Sequence, residues 1–231
     1  VPDAAGAGAP LVKYANMNTL ALWEHALDHL NATAPDPAAM LAGWRGEAPG
    51  GATDTDLLRE YGWVVACCGL TPHVMLKHWD RFSEAFMGWD PVRVATRPVD
   101  VRIAALGVVR NLRKIETIIA FADDLAREPG EMGRLAGKPV KEVLSWMSTL
   151  PFVGANNRYH LARNLGWDVV VRSGPVVRLA AYLLTTSEDL CGRIAAETGE
   201  RVRTVDLVLW YWGHQVGDGA MKEMASLFKL M

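Results

Sequence analysis

Apolar residues recur at intervals of three and four along most of this chain, the period of a helix with one buried face. In "TPHVMLKHWDRFSEAF", Val74, Met75, His78, Trp79, Phe82 and Phe86 fall on one such face. In "NLRKIETIIAFADDLA", Leu112, Ile115, Ile118, Ile119 and Ala122 do the same. "KEVLSWMSTL", "ANNRYHLARNL", "VVRLAAYLL", "EDLCGRIAAETG" and "RVRTVDLVLWYWGHQVG" are further helical segments, set apart by Gly and Pro. "WDVVVRS" is the one β-like run, short and placed between two helices. The pattern predicts an all-α fold of about ten helices, without heptad register or internal repeat.

The loopiest stretches are "RGEAPGGATD" (45–54) and "REPGEMGRLAGKP" (127–139). They suggest a middle lobe over about 55–165 and a second lobe combining the N-terminal and C-terminal helices. The opening, residues 1–15, is small and Gly-rich and reads as a flexible segment ahead of a domain over 16–231. With 231 residues, half of them hydrophobic and 22% charged, the chain can bury a real core. No apolar run reaches the roughly 18 residues of a membrane-spanning helix, so no membrane partner is expected. Cys67, Cys68 and Cys191 show no metal spacing and cannot build a disulfide framework, which points to a reducing cytoplasm. The net charge of −2 leaves no global basic footprint, so any nucleic-acid contact must be local.

"LPFVGANNRYHLARNLG" supplies such a local site. It reads as a helix end, a tight turn with Pro151 and Gly154, and a new helix from near Ala155. Free N–H groups at a turn and helix N-terminus cradle a phosphate, and a glycine there lets it approach closely. Arg158 and Arg163 add positive charge on the second helix. A plain αα-hairpin with a glycine turn has the same local pattern.

The hairpin, spanning about 139–166, and the "VVRLA" that follows it resemble the helix-hairpin-helix DNA glycosylase superfamily that includes endonuclease III. "NLRKIETIIAFADDLA", "YGWVVACCGLTPHVMLKHW" and "VRTVDLVLWYWGH" are similar to its flanking helices, so the resemblance runs over about 55–215. It implies a monomeric, two-lobed fold on double-stranded DNA. Val153, Gly154, Asn156, Asn157 and Arg158 would meet the DNA backbone, with a metal cation optionally held in the hairpin and no other cofactor.

The chain departs from that family where its chemistry lies. Members that cut the glycosidic bond carry an aspartate in the loop after the hairpin, with histidine two residues on. Here Ser173 and Pro175 hold those positions. The hairpin lysine of bifunctional members is also missing, with Asn156 near its place, as is the iron–sulfur cysteine quartet. A neutral hydroxyl cannot stabilise an electron-poor sugar, and losing such a group costs about 10²–10³ in rate. Asp168 stands five residues earlier and either substitutes for the acid or braces the loop.

A fold that keeps base flipping but loses the acid resembles the amino acid:DNA transferases of bacteriophages. These join an amino acid to a thymine activated as a 5-pyrophosphorylmethyl group. On that reading the free amino acid is the second substrate, and Arg172, Ser173 and Asp168 line the reacting centre. His73, Lys77, Asn111, Arg178, Trp210 and His214 would hold substrate. The alternatives are a DNA N-glycosylase of base excision repair and a catalytically inactive DNA binder of the same fold.

Each of these residues also has a plainer reading. His73, Lys77 and His78 can be one core histidine and two solvated residues; Asn111, Arg113 and Lys114 could reach DNA or a phosphate group, or be an ordinary charged first turn. Trp210 and His214, with Trp63 and Trp79, can be core aromatics, and the cysteine pair packing. Arg172 suits pyrophosphate, an amino-acid carboxylate or the DNA backbone, while Arg178 can simply brace its helix.

Overall fold

The computed structural model describes residues 18–46, 49–70 and 72–230, and the side chains of all of these except 72, 73, 229 and 230. The N-terminal segment 1–15 lies outside the described residues. Those described are all-α, with no strand among them. Among the described residues, fourteen α-helices form rather than about ten. The extra ones are short and start where proline presets the first helical position, as at Pro37, Pro91 and Pro98, or lie inside the 127–139 stretch. Among the described residues, no helix is long and apolar enough to cross a membrane.

The chain divides into two units: Gly46–Val171, and a unit drawn from both ends, up to Arg45 and from Arg172 onward. In the first, α3 (Asp54–Cys67) and α8 (Leu112–Arg127) pack together, and α6 (Pro91–Thr96) and α7 (Pro98–Leu106) also pack on α8. Thr53 and Asp56 start α3 with a reciprocal capping box, and Asn111 caps α8 by accepting from the Lys114 N–H. Ile115, Ile118 and Ala122 are buried as the period requires, but Leu112 is exposed.

The segment 72–86 breaks into α4 (Pro72–Leu76) and α5 (Trp79–Ala85). The break takes Val74 and His78 off the core face and leaves both exposed, while Met75, Phe82 and Phe86 stay buried. Phe86 stacks on Trp89 with centroids 4.8 Å apart. α9 (Glu131–Ala136), α10 (Val140–Met147) and α11 (Asn157–Asn164) complete this unit, with α11 packed on both α10 and α3. "WDVVVRS" forms no strand; Val169, Val170 and Val171 are all buried, so the run does not alternate.

In the second unit, α1 (Thr19–Thr33), α2 (Pro37–Arg45), α12 (Gly174–Tyr182) and α13 (Ser187–Thr198) all pack on α14 (Val202–Leu230). Leu22, Leu30, Leu179, Ile194, Val208 and Trp212 fill its core. α14 kinks at Gly217, whose φ of 76° and ψ of 174° are open to glycine alone. α12 approaches α14 at Gly213, where an added Cβ would stand 3.0 Å from the Pro175 Cβ.

Candidate functional site

α10 and α11 form the two arms of the expected hairpin, and the turn between them is held from behind. Tyr61 of α3 donates its hydroxyl to the Pro151 carbonyl at 3.0 Å. The Phe152 carbonyl accepts from Asn157 Nδ2 at 3.1 Å and from the Cys68 thiol at 3.4 Å. Val153 is buried and anchors the turn to the core. The left-handed residue is Phe152, with φ of 64°. That conformation costs a bulky side chain roughly 1–2 kcal/mol and persists because its surroundings hold it. The Arg113 guanidinium lies over the Phe152 ring, 5.5 Å from its centroid.

Gly154 has no positive φ, and a Cβ on it would meet nothing within 4 Å. Neither backbone nor packing asks for glycine there. Gly154, Ala155 and Asn156 are exposed, and among the described residues their N–H groups have no partner within the chain. The outer surface of the turn is thus a row of open donors at the N-terminus of α11, suited to an anion.

The other residues assigned to DNA divide. Asn156 starts α11 without a side-chain cap and is exposed. Asn157 is committed to the turn. Arg158 is half-buried, donates to Ser148 Oγ at 3.1 Å and lies 5.1 Å from the Tyr159 ring centroid. Arg163 is buried and is no surface charge.

In the second unit, Ser173 is the N-cap of α12, 9% exposed, with extended backbone. Its hydroxyl accepts from no N–H of the helix and has no hydrogen-bond partner. Arg172 is exposed and pairs with Glu188 of α13, Nε to Oε1 at 2.8 Å. Arg178 pairs with Asp218 at 2.9 Å, and Tyr182 donates to the same carboxylate at 2.7 Å. The Arg178 Nη1 atom lies 3.0 Å from where a Cβ on Gly174 would stand, so the guanidinium folds back over the start of α12. Trp210 and His214 share a face, with centroids 5.5 Å apart. His214 is exposed and Trp210 half-buried. Asp168 is exposed in the irregular run of the first unit.

Asn111 lines a cavity of 540 Å³ together with Cys68, His78 and Lys114. Lys77 is exposed just past α4; the side chain of His73 lies outside the described residues. Lys114, which from the sequence could reach DNA or a phosphate group or be ordinary solvated surface, is instead buried with its ammonium on the carbonyls of Ala66 (2.9 Å) and Cys68 (2.5 Å). Those carbonyls close α3, at the negative end of its dipole. Burial pushes the Cys67 thiol up to about 11, with Lys114 only partly offsetting it, so at neutral pH it is no nucleophile. Tyr61, Cys68 and Lys114 carry no local signal of these roles, because their partners lie far along the chain.

No known protein family, curated protein or solved structure matches this chain.

Proposed function

We propose that this chain is a two-lobed helix-hairpin-helix protein of the DNA glycosylase type that grips duplex DNA and flips out a pyrimidine. There it joins a free amino acid to a thymine activated as a 5-pyrophosphorylmethyl group, in the hypermodification of phage DNA. The carrying observation is Ser173 at the N-cap of α12, a neutral hydroxyl where a base-excising relative would hold its carboxylate. The open N–H groups of Gly154, Ala155 and Asn156 support the grip on a DNA phosphate.

In the proposed reaction the amine lone pair attacks the methylene carbon. A C–N bond forms, the C–O bond to pyrophosphate breaks and the leaving group takes that electron pair. The new ammonium then gives a proton to water. A base-cutting acid would destroy this product, so its absence suits the reaction. Arg172 and Arg178 are the cations offered to pyrophosphate. Each now holds an exposed carboxylate, and exchanging such surface pairs costs no more than about 1 kcal/mol.

The test is nucleoside mass analysis of duplex DNA carrying 5-pyrophosphorylmethyluracil after incubation with the protein and each amino acid. The expected result is one new nucleoside with the mass of thymidine plus the amino acid less two hydrogens, with pyrophosphate released and no abasic sites. Excision of a base by the unmutated protein overturns the reading in favour of a glycosylase, with Asp168 the first acid to replace.

A further inference from the structure

The 540 Å³ cavity in the Gly46–Val171 unit lies within the size range of small-molecule sites. Its walls have two characters. Leu70, Val74, Met75 and Val109 are apolar, with Leu70 43% and Val74 45% exposed at the mouth. Arg110 and Lys114 are cationic, and among the described residues no aspartate or glutamate lines it. Lys114 is only 5% exposed and meets two carbonyls but no carboxylate, so two of its three N–H groups are used and its charge is unneutralised. A buried cation without a counter-charge attracts an anion more strongly than one in water.

We infer that this cavity binds the amino-acid donor, with the carboxylate on Arg110 and Lys114 and an apolar side chain on Leu70 and Val74. The assignment rests on the transferase reading above, which supplies the need for a free amino acid. Carboxylate and apolar tail are what the two wall characters accept together. Glycine would leave the apolar wall uncovered.

The test is calorimetric titration of the full chain, without DNA, by leucine, isoleucine, valine, methionine and phenylalanine, with glycine and the carboxamide of each as controls. At least one apolar amino acid is expected to bind at least tenfold more tightly than both glycine and its own carboxamide. Val74→Trp, which fills the mouth, should abolish binding, and Arg110→Ala should weaken it about tenfold, the order of one charge-assisted hydrogen bond. Both positions are exposed, so the variants are expected to fold, which circular-dichroism melts check. The inference is overturned if no apolar amino acid binds, if acid and carboxamide bind alike, or if both variants bind as the parent does. Transfer to activated DNA that persists unchanged in Val74→Trp refutes the cavity and leaves the transferase reading standing. Binding in the cavity without transfer refutes the transferase reading and leaves the carboxylate site.

Discussion

Phe152 and Gly154 divide the work of the hairpin turn between them. Phe152 takes the left-handed backbone and is held by Asn157, Cys68 and Arg113, while Gly154 faces outward with room for a side chain. Gly154→Asp is therefore expected to leave the melting temperature unchanged. On the phosphate-cradle reading it should weaken binding to all duplex sequences alike, by about tenfold or more, since it sets an anion against the phosphate. Fluorescence anisotropy on two unrelated duplexes checks this, and a folded variant that binds like the parent reduces the hairpin to a turn. His160 carries a second expectation. Burial, and then the neighbouring Arg163 guanidinium, push its imidazole down from 6.5 to about 4. The folded protein keeps it neutral, whereas the unfolded chain takes up a proton below about pH 6.5. Stability should therefore be level above pH 6.5 and fall as the pH drops toward 4, by about 3 kcal/mol from this group. Urea melts from pH 4.5 to 7.5 should show a flatter profile for His160→Phe.

At the scale of elements, caps decide where the helices stand. Asp54, in the first turn of α3, accepts from the Gly130 N–H at 2.6 Å and the Met132 N–H at 2.8 Å. It thereby supplies the start of α9 with acceptors that α9 lacks in its own sequence, Gly130 being its N-cap at φ 90°. That bond turns part of the 127–139 stretch, a loop by composition, into a helix packed on α3. Asp54→Ala should cost about 1–2 kcal/mol, the range for losing a cap and exposing two donors. For a chain of this size that is a drop in melting temperature of about 2–8 °C, read by differential scanning calorimetry. Asp54→Asn keeps an acceptor and should recover about half of the loss.

For the molecule as a whole, a net charge of −2 bears on the proposed grip on DNA. On that reading, binding would come from a few phosphates at the turn and from local cations such as Arg113. The logarithm of the binding constant should then fall with log salt at a slope of about −3, far shallower than for a basic DNA-binding domain. Anisotropy titrations between 50 and 300 mM potassium chloride, about the range where counterion release is linear, measure it. Gly154→Asp should bring the slope about one unit closer to zero. A slope near zero for the parent would remove phosphate contact from the proposed function.

Helical period is a property of neighbours three and four apart, so the sequence by itself determined the all-α class and most of the buried face of α8. It also located the hairpin arms, the proline at the head of α12 and the serine before it. The same period says which face is buried but never against what. Tyr61 reaching Pro151, Cys68 reaching Phe152 and Lys114 reaching Ala66 join residues 90, 84 and 48 positions apart. Val74, His78 and Leu112 fit an apolar face by spacing yet end exposed, because the helix break at Lys77 and the start of α8 turn them outward. "WDVVVRS" reads as a strand but remains irregular, since no second strand in the described chain offers it a ladder of hydrogen bonds. Burial of the Lys114 ammonium, and with it the cationic end of the cavity, was decided only when the end of α3 met the start of α8.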